Sequence, residues 1–143
     1  MTGSFDRKAK IWDANTGERL HNLVGHKMEI VALSFDPHSM LVATGSMDNT
    51  AKLWDVETGQ EIFSLEGHRG EIVSLQFNTD GDKLMTASWD STAKIWDVCT
   101  GQCIHTLEGH TAELSCAQFD FTGDYCLTGS VDRTARLWDV SSG

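Results

Sequence analysis

The chain has 143 residues, 40% hydrophobic and 22% charged, a globular composition with room for one compact domain by length alone. Its formal net charge of −10 argues against nucleic acid and anionic membrane surfaces, which attract clustered Lys and Arg. No run approaches the roughly 20 apolar residues of a membrane-spanning helix, and the opening Met1-Thr2-Gly3-Ser4 begins no signal-peptide core, which favours the cytoplasm and reduced cysteines.

In chain order, Met1 to Ser4 aligns with Ala43 to Ser46, so residues 1–24 read as the tail of one unit, carrying Ser4, Asp6 and Trp12 but no His. The unit 25–66 opens on Gly25-His26 and reads as four strands, 30–35, 40–44, 51–55 and 60–65. Turn chemistry separates them at Asp36-Pro37-His38-Ser39, at Gly45 to Asn49 and at Val56-Glu57-Thr58-Gly59. The unit 67–108 repeats this plan, and a partial unit, 109–143, stops just after its third strand. The period is fixed: Trp12, Trp54, Trp96 and Trp138 keep one step, and Asp6, Asp48, Asp90 and Asp132 keep the same step without insertion or deletion. No segment carries a sustained helical period.

Gly-His, then Ser-x-Asp, then Leu/Ile-Trp-Asp at these spacings resembles the WD-repeat family over the whole chain. The resemblance implies an all-β fold, a WD-repeat β-propeller, and one domain over residues 1–143. Four sequential units are too few for a ring that in this family usually has seven blades. The expectation is therefore an open arc of about four blades, two complete and two partial, from a longer protein, with apolar faces open at both ends.

Each unit carries His, Ser, Asp and Trp at fixed offsets: His26, Ser46, Asp48 and Trp54; His68, Ser88, Asp90 and Trp96; His110, Ser130, Asp132 and Trp138. Ser, His and Asp together suggest a hydrolase. Indole only donates, hydroxyl donates and accepts, neutral imidazole does one of each, and carboxylate only accepts. A chain from Trp through Ser and His to Asp would therefore satisfy every buried polar group. Three copies fit a repeated structural bolt, so no catalytic residue is assigned. Cys99 and Cys103 replace Glu57 and Glu61 of the previous unit and lack a second ligand pair, Cys126 takes a core position and Cys116 a small-residue slot, so no metal or cofactor is expected.

Binding positions are those free to vary between units. The residue before each turn Asp is Phe5, Met47, Trp89 or Val131. In WD-repeat proteins this slot faces the mouth of the ring, where an exposed aromatic anchors a partner; the alternative is packing against the neighbouring blade. Glu29, Glu71 and Glu113, three residues after each His, form either an acidic arc on the same face or solvated strand starts.

Gly-His-x-x-Glu-Ile, Leu41 to Asp48, Thr50 to Asp55 and Ile72 to Thr79 resemble the dynein-assembly branch of the family, while Trp89 and Asp120-Phe121-Thr122 depart from it. That resemblance implies a protein-binding adaptor in assembly or ciliary transport of outer-arm dynein. Its expected partners are outer-arm dynein components and the intraflagellar transport machinery, and its expected location is the cytoplasm, with cilium, flagellum and basal body. The competing adaptor roles are centriolar, trafficking, or substrate reception for a ubiquitin ligase.

Overall fold

A computed structural model describes all residues, 1–143, and contains strands and turns with no helix. A three-stranded sheet comes first: β1 (Thr2–Gly3), β2 (Lys8–Trp12) and β3 (Arg19–Val24). The second sheet is β4 (Ile30–Phe35), β5 (Leu41–Ser46), β6 (Ala51–Asp55) and β7 (Glu61–Leu65). The third is β8 (Ile72–Phe77), β9 (Lys83–Ser88), β10 (Ala93–Asp97) and β11 (Cys103–Leu107). The fourth is β12 (Leu114–Phe119), β13 (Tyr125–Ser130) and β14 (Ala135–Asp139). All pairs are antiparallel and sequential neighbours, as short tight turns require. The sheets are called blades 1 to 4 below.

The second strand of each full blade starts later and runs further than expected. Gly45 and Ser46, expected in a turn, stay on the ladder because Gly45 pairs with Ala32 on one side and Ala51 on the other. The fourth strand begins at Glu61 rather than at 60, and a bulge at Ile62 sets Glu61 opposite Trp54.

Strand alternation gives every blade two apolar faces. Ala43, Ala51, Leu53 and Leu65 point forward from blade 2 onto Ile72, Phe77, Leu84, Trp96 and Val98 of blade 3. Met85, Ala87, Ala93, Ile95 and Leu107 repeat this arrangement toward Leu114, Phe119, Cys126 and Val140 of blade 4. A third seam joins Ala9, Ile11 and Leu23 of blade 1 to Ile30, Val42 and Trp54 of blade 2. The seams on either side of blade 3 divide their volume differently. Between blades 2 and 3 a small forward Ala43 shares the seam with a large Leu84. Between blades 3 and 4 a large forward Met85 shares it with a small Cys126. Both members of each combination are buried.

Adjacent blades pack through their first strands, β4 on β8 and β8 on β12. No comparable packing joins blade 1 to blade 4, so the sheets form an open arc of a partial propeller. Leu127 and Leu137, which occupy forward positions on blade 4, are 49% and 68% exposed, whereas Ala43 and Met85 at the position of Leu127, and Leu53 and Ile95 at that of Leu137, are fully buried. Cys116, placed by sequence in a small-residue slot, is exposed; its thiol lies beside Gly129 on this same uncovered side.

An outer clasp supplements the seams. The ring of His21 lies against Gly59 of the next blade, Phe63 against Gly101 and His105 against Gly143. These glycines have positive φ, and a Cβ at Gly59 would stand 2.7 Å from the His21 ring. Glycine is therefore required twice over, by backbone conformation and by the neighbour. His21 adds a hydrogen bond from Nε2–H to the Glu57 carbonyl at 2.9 Å.

Candidate protein-binding rim

The turn after each second strand and the connection entering each first strand meet at one end of the arc. Backbone hydrogen bonds of 2.9 Å tie them together, from Met47 N–H to Glu29 O, Trp89 N–H to Glu71 O and Val131 N–H to Glu113 O. The two candidate sets named from sequence are thus paired on one rim. Phe5, Trp89 and Val131 are exposed at 76%, 47% and 64%, and Met47 is half-buried. Glu29 and Glu71 are half-buried and Glu113 is exposed. Met28, not singled out by sequence, is exposed on the same rim; its counterparts are Gly70 and Ala112.

The turns are rigid because their polar groups are tied internally. In blade 3, Trp96 Nε1–H donates to Thr86 Oγ1 at 2.9 Å, Thr86 O–H donates to His68 Nε2 at 2.8 Å, and His68 Nδ1–H donates to Asp90 at 2.8 Å. Carboxylate cannot donate, so the proton is assigned to Nδ1 and Nε2 is left to accept. Blade 2 repeats the chain with Trp54, Thr44, His26 and Asp48, and blade 4 with Trp138, Thr128, His110 and Asp132. In blade 1, Trp12 Nε1–H donates to Thr2.

The hydroxyl in this chain differs from the one expected. Ser46, Ser88 and Ser130 do not bridge Trp and His; Thr44, Thr86 and Thr128 do. Residues two apart on a strand share a face, so both hydroxyls point to the same side, and the indole reaches the farther one. The serines perform a separate task. Ser88 O–H donates to the Gly70 carbonyl at 2.8 Å while its oxygen accepts Asp90 N–H at 3.0 Å. Ser46 and Ser130 do the same with Met28 and Asp48, and with Ala112 and Asp132.

Sequence reasoning also missed Thr50, Thr92 and Thr134, each two residues after the turn Asp. Their hydroxyls donate to it at 2.6, 2.7 and 2.6 Å. The signal was available as a threonine at the same period in three units. Between Asp and Thr sit Asn49, Ser91 and Arg133, all with φ near +70°. The left-handed residue thus lies two places beyond Met47, Trp89 and Val131, leaving those three in unstrained backbone.

Burial would raise the Asp48 pKa, but hydrogen bonds from Thr50, the Lys27 amide and His26 outweigh it and hold the group at about 2. Asp90 is likewise held well below the carboxylate range despite burial, by His68, Thr92 and the Arg69 amide. The Thr134 hydroxyl is the main cause of the same depression at Asp132. Burial lowers His26, against an opposing pull from Asp48. These carboxylates are committed to the turn. Burial also raises the Cys126 thiol to about 11, as expected for a core position. Cys99 and Cys103 are exposed.

The chain is similar over a short stretch to proteins called Dynein assembly factor with WD repeat domains 1. It is 54% identical to the one from Mus musculus, 52% to that from Danio rerio and 52% to that from Homo sapiens. Each match covers 36 residues, 25% of this chain and 9% of the relative, so it spans a small part of those proteins. The pattern of the WD domain, G-beta repeat family matches residues 17–55, 59–97 and 101–139. Each matched unit runs from the outer strand of one blade through the first three strands of the next, so it staples two sheets together. With most of its length in such units, the chain belongs to the WD-repeat family.

Proposed function

We propose that this chain is part of a non-catalytic scaffold that binds protein partners through the rim carrying Phe5, Met47, Trp89 and Val131 beside Glu29, Glu71 and Glu113. The observation that carries the proposal is Trp89, a half-exposed indole on a turn whose polar groups are tied internally. Holding a large apolar surface in water is unfavourable, and a pre-ordered aromatic loses little entropy when a partner covers it. The His–Asp pairs argue against hydrolysis. Their hydroxyl partner is a fully buried threonine locked between indole and imidazole, out of reach of a substrate.

Similarity to proteins named as dynein assembly factors favours partners among outer-arm dynein components and the intraflagellar transport machinery, and a place in the cytoplasm and cilium. No helix of this chain is long and apolar enough to cross a membrane. The test is capture of dynein-arm and transport components from ciliated-cell extract by the full protein, by Trp89→Ala and Glu71→Lys variants, and by Phe121→Ser on the opposite end. Loss with the first two alone supports the rim; loss with Phe121→Ser alone refutes it.

A further inference from the structure

Beside the Gly-His pairs of blades 2 and 3 the rim has a small polar cup, and the two cups differ in one respect. In blade 2, Lys52 Nζ donates to Glu61 at 2.7 Å and to Ser64 at 3.2 Å. The second Glu61 oxygen lies over Gly25, 2.8 Å from where a Cβ would stand. An internal carboxylate thus seats on an internal cation, and the remaining cup holds about 60 Å³.

In blade 3 the lysine persists as Lys94, but Cys103 takes the place of Glu61; it stands opposite Trp96 as Glu61 stands opposite Trp54. Lys94 Nζ keeps a hydroxyl, donating to Thr106 at 2.8 Å, and forms no ion pair. The cup widens to about 200 Å³ and is lined by Arg69, as Lys27 lines that of blade 2; neither of these side chains forms an ion pair. Two acids line it as well. Asp90 is occupied by His68, Thr92 and the Arg69 amide. Glu108 is exposed, and its counterpart Glu66 lines the blade 2 cup without pairing to Lys52. What blade 3 lacks is the carboxylate over the glycine, where the nearest side-chain atoms are now Lys94 Cε and the Trp96 ring at 3.6 Å.

We propose that the blade 3 cup receives an Asp or Glu side chain of a protein partner on Lys94, with Arg69 beside it, in the seat that Glu61 fills internally in blade 2. A half-buried ammonium that has lost its carboxylate gains by accepting another, with the enclosing walls weakening solvent screening. Trp89 immediately precedes Asp90, so the apolar anchor and the cationic cup adjoin. The partner segment is an acidic one with an apolar residue next to the acid. This site deepens the scaffold proposal and rests on it for biological relevance.

The test is titration of the ¹⁵N-labelled full chain with the blocked peptide acetyl-Glu-Leu-Glu-amide, with acetyl-Gln-Leu-Gln-amide as control. Saturable amide shifts are expected at Gly67, Arg69 and Lys94 with the glutamate peptide alone, and none at Gly25, Lys27 and Lys52. Cys103→Glu supplies an internal acid and removes the shifts. Lys94→Met weakens binding about fivefold, the worth of one well-placed ion pair near a surface. Equal shifts in both blades, equal shifts with the glutamine peptide, or full binding by both variants would overturn the assignment. So would a phosphoserine peptide that binds more than about tenfold tighter, since the seat is sized by a carboxylate. If Trp89→Ala abolishes partner capture while the peptide leaves blade 3 unmoved, the scaffold stands and this site falls.

Discussion

Replacing Thr86 by Val removes one hydroxyl and keeps the volume of a fully buried side chain, so no cavity opens. It strands two polar groups. Trp96 Nε1–H loses its acceptor and His68 Nε2 loses its donor, and both side chains are buried. A buried group left without a partner costs about 1–3 kcal/mol, so the variant with two such groups loses about 2–6 kcal/mol. At about 3 °C per kcal/mol for a chain of this length, the melting temperature falls by about 6–18 °C. Ser88→Ala is the comparison. It removes the bond to the Gly70 carbonyl and the one from Asp90 N–H, at a turn where water can replace part of both, and costs about 1–2 kcal/mol. Both are read by calorimetry or urea titration of the same chain. If Ser88→Ala proves as costly as Thr86→Val, the bond network described here does not carry the energy assigned to it.

Two further predictions follow from burial. Ala43→Met overfills the seam between blades 2 and 3 and costs about 1–3 kcal/mol, and adding Leu84→Cys restores part of that loss; strictly additive urea midpoints would refute the volume trade. The second concerns acid. His26 has a lowered folded pKa, so its contribution is complete above the ordinary value of 6.5 and fades as the pH falls and the unfolded chain takes up the proton. Asp48, held at about 2 against an ordinary 3.8, contributes fully above about 4 and loses that contribution as the pH drops toward 2. The melting temperature should therefore decline in two limbs, the first absent in His26→Asn. A rise on acidification from pH 7 to 5 would refute the signs.

Much of the architecture was written in the period itself. Trp and Asp at a constant step fixed the number of sheets, and β-rich runs such as Ile30 to Phe35 and Ala51 to Asp55 appear with the bounds expected of them. Strand ends were less legible, since Gly45 and Ser46 look like turn residues and become strand only because β4 pairs with both and β6 with Gly45. The choice between Thr86 and Ser88 could not be made from spacing: both recur at the same period and lie on the same face. Only the reach of the indole separates them. The cup on blade 3 was hidden for another reason. Cys103 was weighed for the metal it could bind, whereas its effect lies in the carboxylate it displaces from Lys94.

The uneven division of volume between the seams on either side of blade 3 bears on how the chain finds its order. All blades descend from one plan, and the backbone would accept any forward face against any rear face. Side chains break that equivalence. Blade 2 docked directly on blade 4 would bring Ala43 to Cys126 and leave a hollow; the forward face of blade 3 pressed onto another rear face like its own would bring Met85 against Leu84 and collide. Hollows and collisions each cost on the order of 1–3 kcal/mol, comparable to a sizeable share of a domain's whole stability. The arc thus carries a lock-and-key sequence along its length, one that lets near-identical modules assemble in a single succession while the chain is still folding.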